Sequence, residues 1–182
     1  MSVTKWSFDP MHSELGFKIK HMMLTNVSGS FTKFNVKVET NGDDFASAKI
    51  AASIDVASIN TNNEQRDTHL RNADFFEVES HPNIEFKSTK IEKAGTDLFT
   101  VLGDLTIKEI TKPITLHVEY NGVAKDPRGN MKYGFSLSGK INRKDWGISY
   151  NSILETGGVA LGEELKINGE IQFVKQAQLQ PA

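Results

Sequence analysis

Residues 9–38 read DPMHSELGFKIKHMMLTNVSGSFTKFNVKV, and their pattern decides the fold class. Leu15, Phe17 and Ile19 share one parity, while Glu14, Lys18 and Lys20 share the other. Successive side chains on a strand point to opposite faces, so this run is apolar on one side and charged on the other. Phe34, Val36 and Val38 repeat the pattern against Asn35, Lys37 and Glu39. Between the runs, Asn26-Val27-Ser28-Gly29-Ser30 is rich in residues that tolerate turn geometry. The stretch therefore reads as an antiparallel hairpin that turns at residues 26–30.

The same alternation continues down the chain. Asn41-Gly42-Asp43-Asp44 is a turn, and Ala46 to Val56 then places Ala48, Ile50, Ala52, Ile54 and Val56 on one face. Residues 59–79 break the period. Asn60-Thr61-Asn62 supplies an N-cap and Glu64 lies near the first turn, so a short helix is expected from about Asn63 to Arg71, ended by Asn72-Ala73-Asp74 and followed by Phe75 and Phe76. Further one-sided strands follow at Asn83–Ile91, Phe99–Lys108, Ile114–Tyr120, Tyr133–Ile141 and Leu165–Phe173. Lys112-Pro113 and Asp126-Pro127-Arg128-Gly129-Asn130 mark turns, and residues 142–162 form a long connection containing Gly157-Gly158. About eight such strands in one domain close most simply into an antiparallel barrel or stack as a sandwich. No repeat or linker divides the 182 residues, so the expected unit is one domain with its core at 6–174 and a polar tail at 175–182.

Composition excludes several classes of function. The net charge of −2 gives no global field toward nucleic acid or an anionic membrane, and lysines and acids alternate along the strands. With no cysteine, the chain has no disulfide, thiolate metal site or cysteine nucleophile. His12, His21, His69, His81 and His117 include no HxH pair and no HExxH, so no metal is expected. GxSxG, GxGxxG and GxxxxGK[ST] are all absent, so neither a serine hydrolase nor a nucleotide-binding loop is indicated. No apolar run has the length of a membrane span, and MSVTKWSFDP lacks the form of a secretory leader. As written, the chain is expected in the cytoplasm, or in the periplasm if a leader has been removed.

Two polar clusters remain, Arg66-Asp67 with His69 and Asn142-Arg143-Lys144-Asp145-Trp146-Gly147. One reading makes them a network pinning loops to a rim. The other makes them, with His12, a polar collar at a pocket mouth, where Arg would bind a phosphate or quinone oxygen. Inside a barrel, Ala48, Ala52, Gly103 and Gly139 fall on inward parities and would leave a channel. The eleven phenylalanines could equally fill it. The residues alone leave these alternatives open.

An ordered set of motifs resembles the YceI-like family. They are Trp6-x-x-Asp9-x-x-His12-Ser13, Gly16-Phe17, Lys20-His21-Met22 and Val27-x-Gly29-x-Phe31. Ile59-x-Thr61, Arg66-Asp67-x-His69-Leu70, Asp74-Phe75-Phe76 and Pro82-x-Ile84-x-Phe86 follow. Gly103-x-Leu105-Thr106, Thr111-Lys112-Pro113 and Asn142-Arg143-x-Asp145-x-Gly147 complete the set, which spans Trp6 to Phe173. The resemblance implies an eight-stranded antiparallel lipocalin-like barrel with a helical segment at one end. It also implies a polyprenyl or quinone-type isoprenoid lipid held inside, as in a non-enzymatic carrier or store. The lining expected on that reading is Leu15, Phe17, Ile19, Ile50, Ile54, Phe75, Phe76, Phe86, Leu105, Leu116, Phe135 and Ile167, with His12, Arg66, Asp67, His69, Arg143 and Asp145 as the collar. No cofactor other than a bound lipid is expected. The alternatives are an enzyme acting on a small hydrophobic substrate at the barrel mouth, and a filled interaction barrel that forms a homodimer along a seam or rim.

Overall fold

The computed structural model describes residues 2–152, 154 and 160–176. Its strands are β1 (Val3–Phe8), β2 (Glu14–His21), β3 (Thr25–Phe31), β4 (Phe34–Asn41), β5 (Asp44–Asp55), β6 (Ile59–Asn60) and β7 (Asn83–Lys93). They continue as β8 (Leu98–Ile107), β9 (Ile110–Lys125), β10 (Met131–Asn142) and β11 (Leu161–Lys175), with one α-helix, α1 (Glu64–Arg71). The ring runs β1-β4-β5-β7-β8-β9-β10-β11 and closes where β11 returns to β1. Every pairing is antiparallel, so the molecule is a closed eight-stranded barrel of lipocalin-like form.

Closure is uneven along the barrel. The last residues of β11 pair with β1, Phe8 opposite Phe173 and Trp6 opposite Lys175. The earlier part of β11 pairs instead with β2, from Leu161 opposite His21 to Glu170 opposite Glu14. At that end the flap β2–β3–β6 therefore continues the wall from β11. Asp9 and the short 3-10 turn Pro10–His12 make the corner between β1 and β2.

The opening stretch differs from its sequence reading. Residues 26–30 are not a turn but part of β3, which pairs with β2 through Phe17–Gly29 and Ile19–Val27. The chain reverses at Met22-Met23, both with positive φ. β4 pairs with β1 and β5 rather than with β2. A polar, glycine-bearing strand looks like a turn when read alone, because backbone pairing leaves no mark on the side chains. Lys112-Pro113 likewise lies inside β9, and the turn is at Lys108-Glu109. Proline is tolerated there because β10 pairs with β9 no further than Leu116, so that edge has no ladder bond to lose.

Other turns are where the sequence places them. The helix α1 lies where it is expected, although its cap is one residue past Asn60-Thr61-Asn62, at Asn63, which accepts from Arg66 N; Asn72 ends the helix. Asp126 Oδ1 accepts from Arg128 N and Asn130 N at 2.9 Å, fixing the β9–β10 turn. Gly157-Gly158 and the tail after residue 176 lie outside the described residues.

Each end of the barrel has an aromatic plug. At one end Trp6 packs against Phe45 and Tyr133, its Nε1–H donating to Thr40 Oγ1 at 2.9 Å. At the other, Val56, Phe75, Ile107, Trp146 and Ile148 are buried, and Trp146 Nε1–H donates to the Leu105 carbonyl at 3.0 Å.

Candidate functional site

Between the two plugs the barrel encloses a cavity of about 240 Å³, walled only by Trp, Phe, Leu, Ile, Val, Ala and Gly among the described residues. It follows from the alternation: each ring strand turns its apolar parity inward and its charged parity to water. Phe99 and Ile107 on β8 both reach the wall. At about 3.3 Å per residue and the usual tilt of barrel strands, the lining extends roughly 20 Å along the axis.

Of the expected lining, Leu15, Phe17, Ile50, Ile54, Phe76, Phe86, Leu105, Leu116, Phe135 and Ile167 are in the wall. Ile19 and Phe75 are not. Both are buried, but Phe75 packs outside the wall against His69 and Tyr150, with ring centroids at 5.0 and 5.2 Å.

Ala48 and Ala52 do leave room and face the cavity. Gly103 and Gly139 do not open it further. The Phe86 ring lies in the space a Cβ on Gly103 would take, and Leu116 Cδ2 lies 2.8 Å from such a Cβ on Gly139. These glycines let a neighbouring side chain lie flat on the wall.

Several wall residues escaped the sequence reading, among them Trp6, Phe31, Phe34, Phe45 and Phe99. Phe45 has the wrong parity for β5, but the β4–β5 register shifts between Glu39 and Asn41, and the irregularity turns its ring inward. For Phe34 and Phe99 the alternation was signal enough. Phe31 lies in the strand mistaken for a turn.

The six residues read as a collar are dispersed, and none is in the cavity wall. His12 is on the outside, its Nδ1 2.8 Å from Asp9 Oδ2, which also accepts from Lys132 Nζ at 2.6 Å. Burial works against the Asp9 carboxylate, but the Lys132 and His12 hydrogen bonds and charges outweigh it and hold its pKa down at about 2. Asp67 is buried and accepts from Thr61 N and Oγ1 at 2.9 and 2.5 Å. Arg66 donates to Thr61 Oγ1 and to the Thr61 carbonyl, both at 2.7 Å. These two residues lock the entry to α1.

His69 pairs with Asp74 at 2.9 Å, tying α1 to the turn that presents Phe76 to the cavity. Arg143 is 3 % exposed and donates to the carbonyls of Gly162, Ile148 and Tyr150 at 2.8 Å. Burial lowers its pKa from the ordinary value, with Glu163 opposing. Asp145 is exposed on the outer face. Five of the six thus adopt the loop-pinning geometry, bonding to backbone or to the side chains of Asp9, Thr61 and Asp74, while Asp145 faces solvent.

Among the described residues the cavity wall presents no nucleophile, acid or base. No grouping of three or more His, Cys, Asp or Glu that could hold a metal occurs among the described residues. The site can exclude water and contact a slender apolar molecule along its length.

Comparison with known proteins agrees with this architecture. The UPF0312 protein of Staphylococcus aureus strain MW2 is 44% identical over 172 residues, covering 94% of this chain and 98% of that protein. The crystal structure of the Campylobacter jejuni YceI protein superposes with a TM-score of 0.72 at 34% identity, covering 88% of this chain and 91% of that one. A polyisoprenoid binding domain from Saccharophagus degradans has the same fold, with a TM-score of 0.69 at 13% identity and coverage of 94% and 98%. The model of the YceI-like domain matches residues 6–173, almost the whole barrel. The chain belongs to the YceI-like family.

Proposed function

We propose that this protein binds an isoprenoid lipid of polyprenyl or quinone type inside the barrel, and carries or stores it without transforming it. The observation that carries the reading is the wall: apolar from one aromatic plug to the other, with a gap left by Ala48 and Ala52. Each methylene that leaves water contributes about 0.8 kcal/mol, so a few isoprene units offset the entropy of holding a flexible chain still. A head group, which costs free energy to bury unpaired, would stay at a barrel end.

Membership of the family supports the reading, as does the Saccharophagus degradans domain of the same fold, described as polyisoprenoid binding. A binding role rather than an enzymatic one accords with a wall that is apolar among the described residues, and no cofactor beyond the lipid enters the proposal. Solvent extraction of protein purified without detergent, followed by mass spectrometry, tests it. A prenyl-chain lipid near one per protein is expected. Recovery of only mixed phospholipid, or of no lipid after incubation with polyprenol, would refute it.

A further inference from the structure

The β2–β3 hairpin ends in a feature that the cavity does not explain. The turn His21-Met22-Met23-Leu24 is closed by a 3.0 Å bond from Leu24 N to His21 O. Met22 and Met23 have φ of 53° and 58°, the left-handed pair of a type I′ turn. That turn favours Asn-Gly, because side chains such as methionine are strained there. The strained turn presents a contiguous apolar tip: Met22, Met23 and Leu24 are 41%, 68% and 75% exposed.

A row of positive charge lies behind the tip. Lys18 on β2 is directly opposite Lys166 on β11, and Lys166 directly opposite Lys140 on β10. Directly opposed like charges destabilise a sheet. None of the three has an ion pair among the described residues, and all three are exposed around a single outer groove. Lys20 shares the outward parity of Lys18, nearer the tip. Asp145 and Glu164 border the row, leaving an excess of positive charge. The opposite end has exposed apolar residues too, but Val3, Leu98, Val123 and Met131 come from four different strands, β1, β8, β9 and β10, among turns bearing Asp43, Asp97 and Asp126.

We propose that the Met22-Met23-Leu24 tip and the Lys18, Lys20, Lys140 and Lys166 row dock this end of the barrel onto an anionic lipid bilayer. The tip enters the interface between head groups and acyl chains, and the lysines meet the phosphates from just below it. The end that docks is the one where Phe17 and Phe31 of the same hairpin line the cavity. A carrier of membrane lipid gains from presenting that end to its source. The docking itself stands independently of what fills the cavity.

Co-sedimentation with phosphatidylcholine vesicles, with and without phosphatidylglycerol, tests the proposal. Binding is expected only to the anionic vesicles, weakening as salt shortens the Debye length. Lys18→Glu with Lys166→Glu should weaken it at least about tenfold. Met22→Asn with Met23→Gly supplies the residues a type I′ turn prefers. It should raise the melting temperature while weakening vesicle binding by roughly tenfold. Equal binding to neutral vesicles, or a stabilised turn variant that binds as well as the parent, overturns the proposal. So does reversible self-association in sedimentation velocity that the turn variant abolishes, because it would assign the tip to a second copy. Prenyl lipid recovered from a protein that ignores vesicles would sink the docking surface alone and leave the cavity reading intact.

Discussion

The Phe17 ring lies over Gly29 on the neighbouring strand, in the space that a Cβ at residue 29 would occupy. Phe17 also lines the cavity, so the bare backbone of β3 sets how far the ring projects into it. Gly29→Ala would push the far end of a side chain that has free space beside it. It should cost about 1 kcal/mol and reduce lipid capacity. Gly103→Ala would meet both the Phe86 ring and, at 2.6 Å, the Lys87 carbonyl, which cannot move aside. It should cost about 3 kcal/mol. Urea denaturation of the two variants gives the ranking; equal losses would contradict it.

Arg143 is expected to hold the connection after β10 in place. Arg143→Met leaves the buried carbonyl of Ile148 and the partly buried ones of Tyr150 and Gly162 without their donor and should destabilise by about 3 kcal/mol. Arg143→Lys should recover part of this, since one ammonium reaches fewer of the acceptors than the planar fork. Thermal unfolding checks the order. If the collar role were real, the methionine variant would instead keep its stability and lose ligand.

Asp9 gives a pH signature. Its folded pKa of about 2 lies below the ordinary 3.8, so the fold favours the ionised carboxylate. That contribution is complete above the unfolded value and is lost as pH falls through the folded one. Relative to Asp9→Asn, the parent should be more stable by about 1–2 kcal/mol at neutral pH, the difference disappearing between about pH 4 and pH 2. Denaturant midpoints of both proteins across that window measure it, and a constant gap would contradict the assignment.

Thr4 presents the reverse case. It is 1% exposed on β1 and its hydroxyl has no hydrogen-bond partner among the described residues. Thr4→Val keeps the shape and removes the orphan, so it should be neutral or stabilising by up to about 1 kcal/mol. A loss of stability in calorimetry would mean the hydroxyl is satisfied by something such as a buried water.

The barrel was legible in the sequence where alternation is carried by large side chains, as in β5, β7 and β10. The helix was legible from the capping residues at its start and Glu64 in its first turn, although the cap is Asn63, one residue past Asn60-Thr61-Asn62. β1 was missed as a ring member because its inward positions are Thr4, Trp6 and Phe8, too few and too mixed to register a period. β3 was missed because its pairing is a backbone property and the residue it offers to the Phe17 ring is a glycine, Gly29. The strand count still came to about eight, with β2 standing where β1 closes the ring. The wall was mostly readable for the same reason the strands were. The polar residues were not, because a motif names Arg143 without saying that its donors are spent on carbonyls from 148 to 162.

Whether the space beside Ala48 and Ala52 holds a prenyl chain is measured by native mass spectrometry of the parent and of Ala52→Phe. A phenyl ring on that wall position would take up much of the gap without touching the outer surface. The parent is expected to carry one prenyl lipid and a folded Ala52→Phe variant little or none. Equal lipid loading in the two proteins, or a parent with no lipid after incubation with polyprenol, would contradict it.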